Sequence, residues 1–297
     1  MCGIIGYAGY RDAIPEIIEG LKRLEYRGYD SAGVAVITDV GLWIEKREGR
    51  LSRLEECLNG RPQACIGVGH TRWATHGVPN DVNAHPHVDC QEEFAVVHNG
   101  IIENFGHLRR WLVQKGHVFR SQTDTEVLCH LIEDCYQGDL VEAVRKAIPY
   151  LEGSYAMAVI SPKEPDKIVA IRKDSPLMVG LGEQEFFLAS DIPAVLSRTN
   201  RFYVLEDGEM AIVTPTEVRL SSVDGNEVHK DVFTANWDPV QAEKNGHPHF
   251  MLKEIYEQPR ALRDTMRGRI ADGRIDFSDV QLDLFLQDVR KIFIVGC

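Results

Sequence analysis

Cys2 stands directly behind the initiator methionine, and Ile4 to Ala8 read as a short buried strand. If Met1 is removed, one residue carries both a free thiol and a free α-amine. Their reference pKa values are about 8.5 and about 7.7–8.0. An amine in that range takes a thiol proton near neutral pH, directly or through one water, so Cys2 can supply both nucleophile and base. The competing reading is a small buried apolar residue, the common fate of cysteine. The rest of the chain has to decide between them.

The 297 residues allow one large domain or two ordinary ones, and 44% apolar content supports a sizeable core. A formal charge of −12 and the lack of any Lys/Arg block leave no footprint for nucleic acid or anionic lipid. No window of about 18 apolar residues reads as a membrane span, and no secretory signal opens the chain. A cytoplasmic location is expected. The seven cysteines are odd in number and include no C-x-x-C pair, which fits that compartment. Cys57, Cys65, Cys129 and Cys135 read as core residues.

Apolar spacing predicts a helix over residues 14–24, capped by Asp12, then strands over 31–38 and 41–49 and a short helix at 51–58. Ala64 to His70 reads as a strand running into a polar loop, Thr71 to Gly77, followed by Pro79. Phe94 to Val97 is the next strand, and the Asn-Gly pair behind His98 is by default a tight turn. A helix ending at Gly116 precedes a short strand at Val118-Phe119. Thr123-Asp124-Thr125-Glu126 has the form of a capping box, and further helices follow at 127–132 and 140–148.

After Gly153 the texture is β, with strands over 155–161, 167–172, 177–180 and 186–189, and hairpins at 201–214 and 217–228. This pattern implies α+β, with sheets packed face to face and helices outside. Residues 2–228 are expected to form one domain and 229–248 a linker. Residues 249–297 open with a helix at 250–269 and end on a buried-strand pattern at 291–297, as the start of a truncated second domain.

The opening Cys2-Gly3-Ile4-Ile5-Gly6 resembles the class II glutamine amidotransferases, N-terminal-nucleophile hydrolases. Leu24 to Gly33, His70 to Gly77, Asn83-Ala84-His85-Pro86-His87, His98 to Asn104, Thr123 to Glu126 and Lys253 to Pro259 narrow the resemblance to the glucosamine-6-phosphate synthases. That resemblance implies an αββα fold with two stacked, mainly antiparallel sheets between helical layers. It implies hydrolysis of L-glutamine to glutamate and ammonia, with no cofactor. In the whole family enzyme the ammonia passes to fructose-6-phosphate in sugar-isomerase domains missing here. The family dimerises mainly through those domains, so this stretch need not.

Hydrolysing a glutamine amide needs a nucleophile, a base, an oxyanion site and a grip on a zwitterion. Cys2 supplies the first two, and the resemblance assigns the oxyanion donors to the Asn99 side chain and the Gly100 N–H. Arg72 can hold an α-carboxylate through two parallel bonds and Asp124 can accept from an α-ammonium. Against this, Arg72 reads equally as a solvated loop charge and Asp124 as a helix-start acid. The resemblance also places Thr75 and His76 around the substrate, and Trp73 on a mobile loop that closes over it. Trp73 is equally a packing residue. If Met1 is retained, the Cys2 amine is an amide, and a glutamine-binding module without turnover is the alternative. His85-Pro86-His87 with Asp89 and Cys90, and His247-Pro248-His249, lack the paired spacing of zinc sites, so no metal ligand is assigned. A metal-dependent hydrolase using these histidines is a third reading.

Overall fold

The computed structural model describes residues 2–236, 247, 249–266, 270–271, 274–275, 290–291 and 293. The chain divides into two compact units, 1–242 and 243–297. In chain order the first unit contains β1 (Gly3–Ala8), α1 (Ala13–Leu24), β2 (Ser31–Thr38), β3 (Gly41–Glu48), α2 (Leu51–Glu56), β4 (Ile66–Arg72) and β5 (His87–Val88). Next come β6 (Ala95–Ile102), α3 (Phe105–Gln114), α4 (Glu126–Cys135), α5 (Leu140–Ala147), β7 (Gly153–Ile160) and β8 (Ile168–Lys173). The unit closes with β9 (Met178–Leu181), β10 (Phe186–Ala189), β11 (Arg201–Val204), β12 (Glu209–Val213), β13 (Val218–Ser222) and β14 (Phe233–Thr234).

One sheet runs β14-β11-β9-β10-β1-β4-β2-β3 and the other β13-β12-β8-β7-β6-β5, and their strand pairings are antiparallel. Alternation along each strand divides its side chains between two cores. On β1, Ile4 and Ala8 enter the layer between the sheets, while Ile5 and Tyr7 face α1. β1 is therefore apolar on both sides, which is why it carries no polar stripe. α1 seats Ile14, Ile17 and Leu21 on that sheet, each fully buried side chain stabilising by about 1.5–3 kcal/mol. The approach is close because β4 offers Gly69 there, where a Cβ would sit 2.3 Å from the Ile17 methyl. On the far face, α3, α4 and α5 cover the second sheet through Leu108, Leu112, Val127, Leu131 and Val144. The result is the expected αββα sandwich.

Several local expectations change. Asp12 sits at the N-cap of α1 but makes no capping bond, because Arg61 takes its carboxylate at 2.6 Å. β4 continues through Thr71 and Arg72, which pair with Ala32 and Ser31. β6 continues through His98, Asn99 and Gly100 instead of turning, because β7 pairs with it as far as Ile102. No strand forms at Val118-Phe119. The 123–126 segment is not a capping box: Glu126 reaches back to the N–H groups of Arg120 and Ser121 instead. Residues 201–214 are not a hairpin, since β11 pairs with β9 in one sheet and β12 with β8 in the other. Cys129 is buried as expected, whereas Cys65 is exposed.

Of the span read as a linker, Phe233–Thr234 pairs with β11, and 237–246 lie outside the described residues. The second unit contains α6 (Phe250–Met266) and a short ribbon pairing Ile270–Ala271 with Arg274–Ile275. Of the helix expected to reach 269 and the strand expected at 291–297, residues 267–269, 292 and 294–297 lie outside the described residues. Among the described residues, no helix is long and apolar enough to cross a membrane.

Candidate active site

Three strand ends meet at one edge of the space between the sheets. β1 starts there, and β4 and β6 end there. Period-2 alternation carries the apolar series Ile66, Val68 on β4 and Ala95, Val97 on β6 into that space. Two residues further along, the same faces present His70 and Asn99. Antiparallel pairing of Gly3 with Thr71 brings Cys2 beside Arg72. Cys2, Arg72, Trp73, Thr75, His85, His98, Gly100, Thr123, Asp124 and Thr125 border a cavity of about 20 Å³. That is roughly the space of one water.

The Cys2 sulfur accepts the Trp73 N–H at 3.2 Å and donates to the Trp73 carbonyl at 3.5 Å. Burial raises the thiol pKa, and the Trp73 N–H and the Arg72 charge only partly oppose this. Burial thus favours the protonated thiol over the thiolate. The Asn99 amide donates through Nδ2 to the Cys2 carbonyl at 3.2 Å. Nδ2 carries two hydrogens, so one remains for a ligand.

His70 fixes which way that amide faces. Its Nε2 lies 3.0 Å from both the His98 carbonyl and Asn99 Oδ1. Both partners only accept, so Nε2 carries the hydrogen and donates to them. Asn99 Oδ1 is thereby turned toward His70 and Nδ2 toward Cys2. Burial pulls the His70 pKa down to about 3, so the ring is neutral at physiological pH.

Arg72 is buried and donates through Nη2 to the His76 carbonyl and, at 3.2 Å, to that of Gly77. Its Nη1 is buried without a hydrogen-bond partner. A buried, unpaired guanidinium nitrogen beside a cavity is costly unless an anion completes it. Asp124 uses Oδ2 to accept the Ile102 N–H at 2.9 Å, while Oδ1 lies 3.9 Å from His76 Nδ1. Trp73 is 46% exposed and packs edge-on to Tyr29, and the loop behind it is tied down where Ala74 N–H donates to Asp30.

All eight expected residues thus fall in one neighbourhood. Cys2, Arg72, Trp73, Thr75, Gly100 and Asp124 border the cavity, Asn99 binds Cys2, and His76 lies behind Asp124. Sequence reasoning assigned no role to a file of buried histidines behind them. His70 stacks on His85 at 4.1 Å, and His85 meets His87 edge-on at 4.8 Å. His85 Nδ1 accepts the His98 N–H, His98 Nδ1 pairs with Thr125 at 2.9 Å, and His87 Nε2 with Thr123 at 3.0 Å. The segment carrying His85 and His87 is held by Lys46, which donates to the carbonyls of Val82, Ala84 and Pro86. Burial lowers the pKa of that ammonium to about 8. The His-Pro-His spelling was the only advance signal of this file. Asp89 is occupied by the N–H groups of Gln91, Glu93 and Phe94.

A larger groove of about 450 Å³ lies by α5 and β13, but its lining contains neither Cys nor His.

A profile of the glutamine amidotransferase domain family matches residues 70–197. Glutamine–fructose-6-phosphate aminotransferase (isomerising) from Symbiobacterium thermophilum is 56% identical over 301 residues, covering all of this chain and 49% of that protein. The enzyme of the same description from Aquifex aeolicus is 52% identical over 299 residues, with the same coverage. The chain thus spans about half the length of these relatives. Among solved structures, glutamine phosphoribosylpyrophosphate amidotransferase from B. subtilis superposes with a TM-score of 0.66 at 25% identity, over 76% of this chain and 50% of that one. With Cys2 immediately ahead of a first strand inside a two-sheet sandwich and its likeness to these proteins, the chain belongs to the class II glutamine amidotransferases and corresponds to one half of the glutamine–fructose-6-phosphate aminotransferases.

Proposed function

We propose that this chain hydrolyses the side-chain amide of L-glutamine through a Cys2 thioester. The observation that carries this reading is the meeting of a half-buried thiol, an oriented amide donor, a guanidinium with its Nη1 unpartnered and a carboxylate around one cavity. Arg72 Nη1 takes the α-carboxylate and Asp124 Oδ1 the α-ammonium, which sets the carboxamide carbon against the sulfur. With Met1 removed, the Cys2 amine accepts the thiol proton as sulfur attacks. The oxygen that gains charge receives hydrogen bonds from Asn99 Nδ2 and the Gly100 N–H, donors aimed in advance at charge that develops only in the transition state. The amine returns its proton to the leaving nitrogen, and ammonia departs. Water then cleaves the γ-glutamyl thioester to glutamate.

A cavity of about 20 Å³ does not admit glutamine. The Trp73–Pro79 loop, whose backbone holds the sulfur, therefore opens for entry and closes over the bound substrate. In the whole protein the ammonia is delivered to fructose-6-phosphate to form glucosamine-6-phosphate, in domains beyond the matched half.

The test is glutamate release by the chain and by a Cys2→Ala variant, with intact mass recorded for both. Release by the wild type alone, with Met1 absent from its mass, is expected. Equal release by both proteins overturns the proposal.

A further inference from the structure

Away from this cavity, four donor groups converge at the far end of α4. Cys90 follows β5, His117 follows α3, and His130 and Glu133 lie one helical turn apart on α4. One donor atom from each lies within 4.8 Å of the other three. Cys90 Sγ is 3.6 Å from His130 Nδ1 and 3.9 Å from His117 Nδ1. Glu133 Oε2 is 3.4 Å from His130 Nδ1 and 2.9 Å from His117 Nδ1. Bonds of about 2.0–2.3 Å to a tetrahedral zinc place neighbouring donors roughly 3.3–3.8 Å apart. Three of these four separations lie within about 0.1 Å of that range. The shorter one is a hydrogen bond that an ion would replace.

A hydrogen-bond cluster alone does not account for the outward sides of the rings. Both imidazoles turn Nδ1 inward and Nε2 toward a carboxylate. His130 Nε2 lies 3.6 Å from Glu126 Oε1, and His117 Nε2 lies 3.9 Å from Asp134 Oδ1. Carboxylates behind ligand histidines are the means by which metal sites orient their rings. His130 is 1% exposed, and its Nε2 has no hydrogen-bond partner within range. The Cys90 sulfur accepts the Val118 N–H at 3.3 Å, a contact that suits a thiolate.

We propose that Cys90, His117, His130 and Glu133 bind one zinc ion. On binding, the Cys90 thiol releases its proton to solvent, both histidines bind neutral through Nδ1, and Glu133 binds as carboxylate. Thiolate and carboxylate then balance the two positive charges of the ion, so the half-buried site is neutral. All four positions come from protein, which leaves none for a reacting water and makes the site structural. The ion joins the segment after β5, the segment after α3 and the body of α4.

Elemental analysis of the reduced, tag-free chain after gel filtration tests this, alongside the variants Cys90→Ser and His117→Gln and their combination. About one zinc per wild-type chain is expected, with none in the double variant and its circular dichroism unchanged. Cobalt added to the metal-free wild type is expected to give tetrahedral visible bands with a thiolate charge-transfer band, absent in Cys90→Ser. Chelation is expected to lower the Tm of the wild type only. Zinc retained by the double variant, or neither zinc nor a cobalt spectrum in the wild type, overturns the site.

Discussion

His70 is not itself among the residues that border the cavity, yet the orientation of the Asn99 amide depends on it. Removing a buried hydrogen-bond partner costs about 1–3 kcal/mol, or roughly 5- to 150-fold in rate where that geometry serves the transition state. His70→Ala is therefore expected to lower kcat for glutamine hydrolysis within that range with KM little changed, and His70→Gln, which keeps an N–H donor, to recover part of the loss. A matching fall in stability with kcat unmoved in both variants argues against this positioning role. That Cys2, Arg72 and Asp124 share one cavity was legible because the chemistry proposed for them dictates their types: a nucleophile at a terminus and opposite charges for a zwitterion. His70 was not, since nothing in a linear string tells which imidazole nitrogen faces which carbonyl.

β6 shows where local patterns mislead. An Asn-Gly pair normally turns a chain, yet Gly100 stays in the strand at φ +129°, where a Cβ would lie 2.1 Å from the Ser154 carbonyl. Glycine here permits close strand approach rather than a reversal. Gly100→Ala is expected to cost at least about 2 kcal/mol through backbone strain and displacement of β7. In a domain of this size that lowers Tm by roughly 5 °C or more, and calorimetry measures it directly. Glutaminase activity is expected to fall further than Tm alone explains, because the Gly100 N–H shifts with its strand. The strands after Gly153 were legible from alternation, but their partners were not. Arg201–Thr214 has the spelling of a hairpin, and only tertiary pairing sends its two strands into different sheets.

Across the whole sandwich, the layer architecture was legible in two periodicities, two residues for strands and 3.6 for helices. The histidine file that runs behind the cavity was not, and it makes the molecule sensitive to acid. Burial holds His70 at about 3, His85 and His87 well below the usual imidazole value, and His98 below it too. Lys46, Arg72, Asp124 and Glu126 are the charges coupled to this file. The unfolded chain binds protons on these rings below about pH 6.5 and the folded chain does not. Stability is therefore complete above that pH and is lost as pH falls toward the folded values. The loss is about 1.4 kcal/mol per pH unit for each ring that protonates only on unfolding. Urea midpoints at pH 7, 6 and 5 are expected to drop with increasing slope, and a flat profile contradicts the neutral file. The position of β1 has a different consequence, one for synthesis. It lies between β4 and β10, so its second neighbour is Phe186–Ala189, made more than half the chain later. β1 is thus enclosed on both sides only once residues far along the chain have folded back beside it. Under the proposed mechanism, that interval is when the Cys2 amine is most open to being freed of Met1.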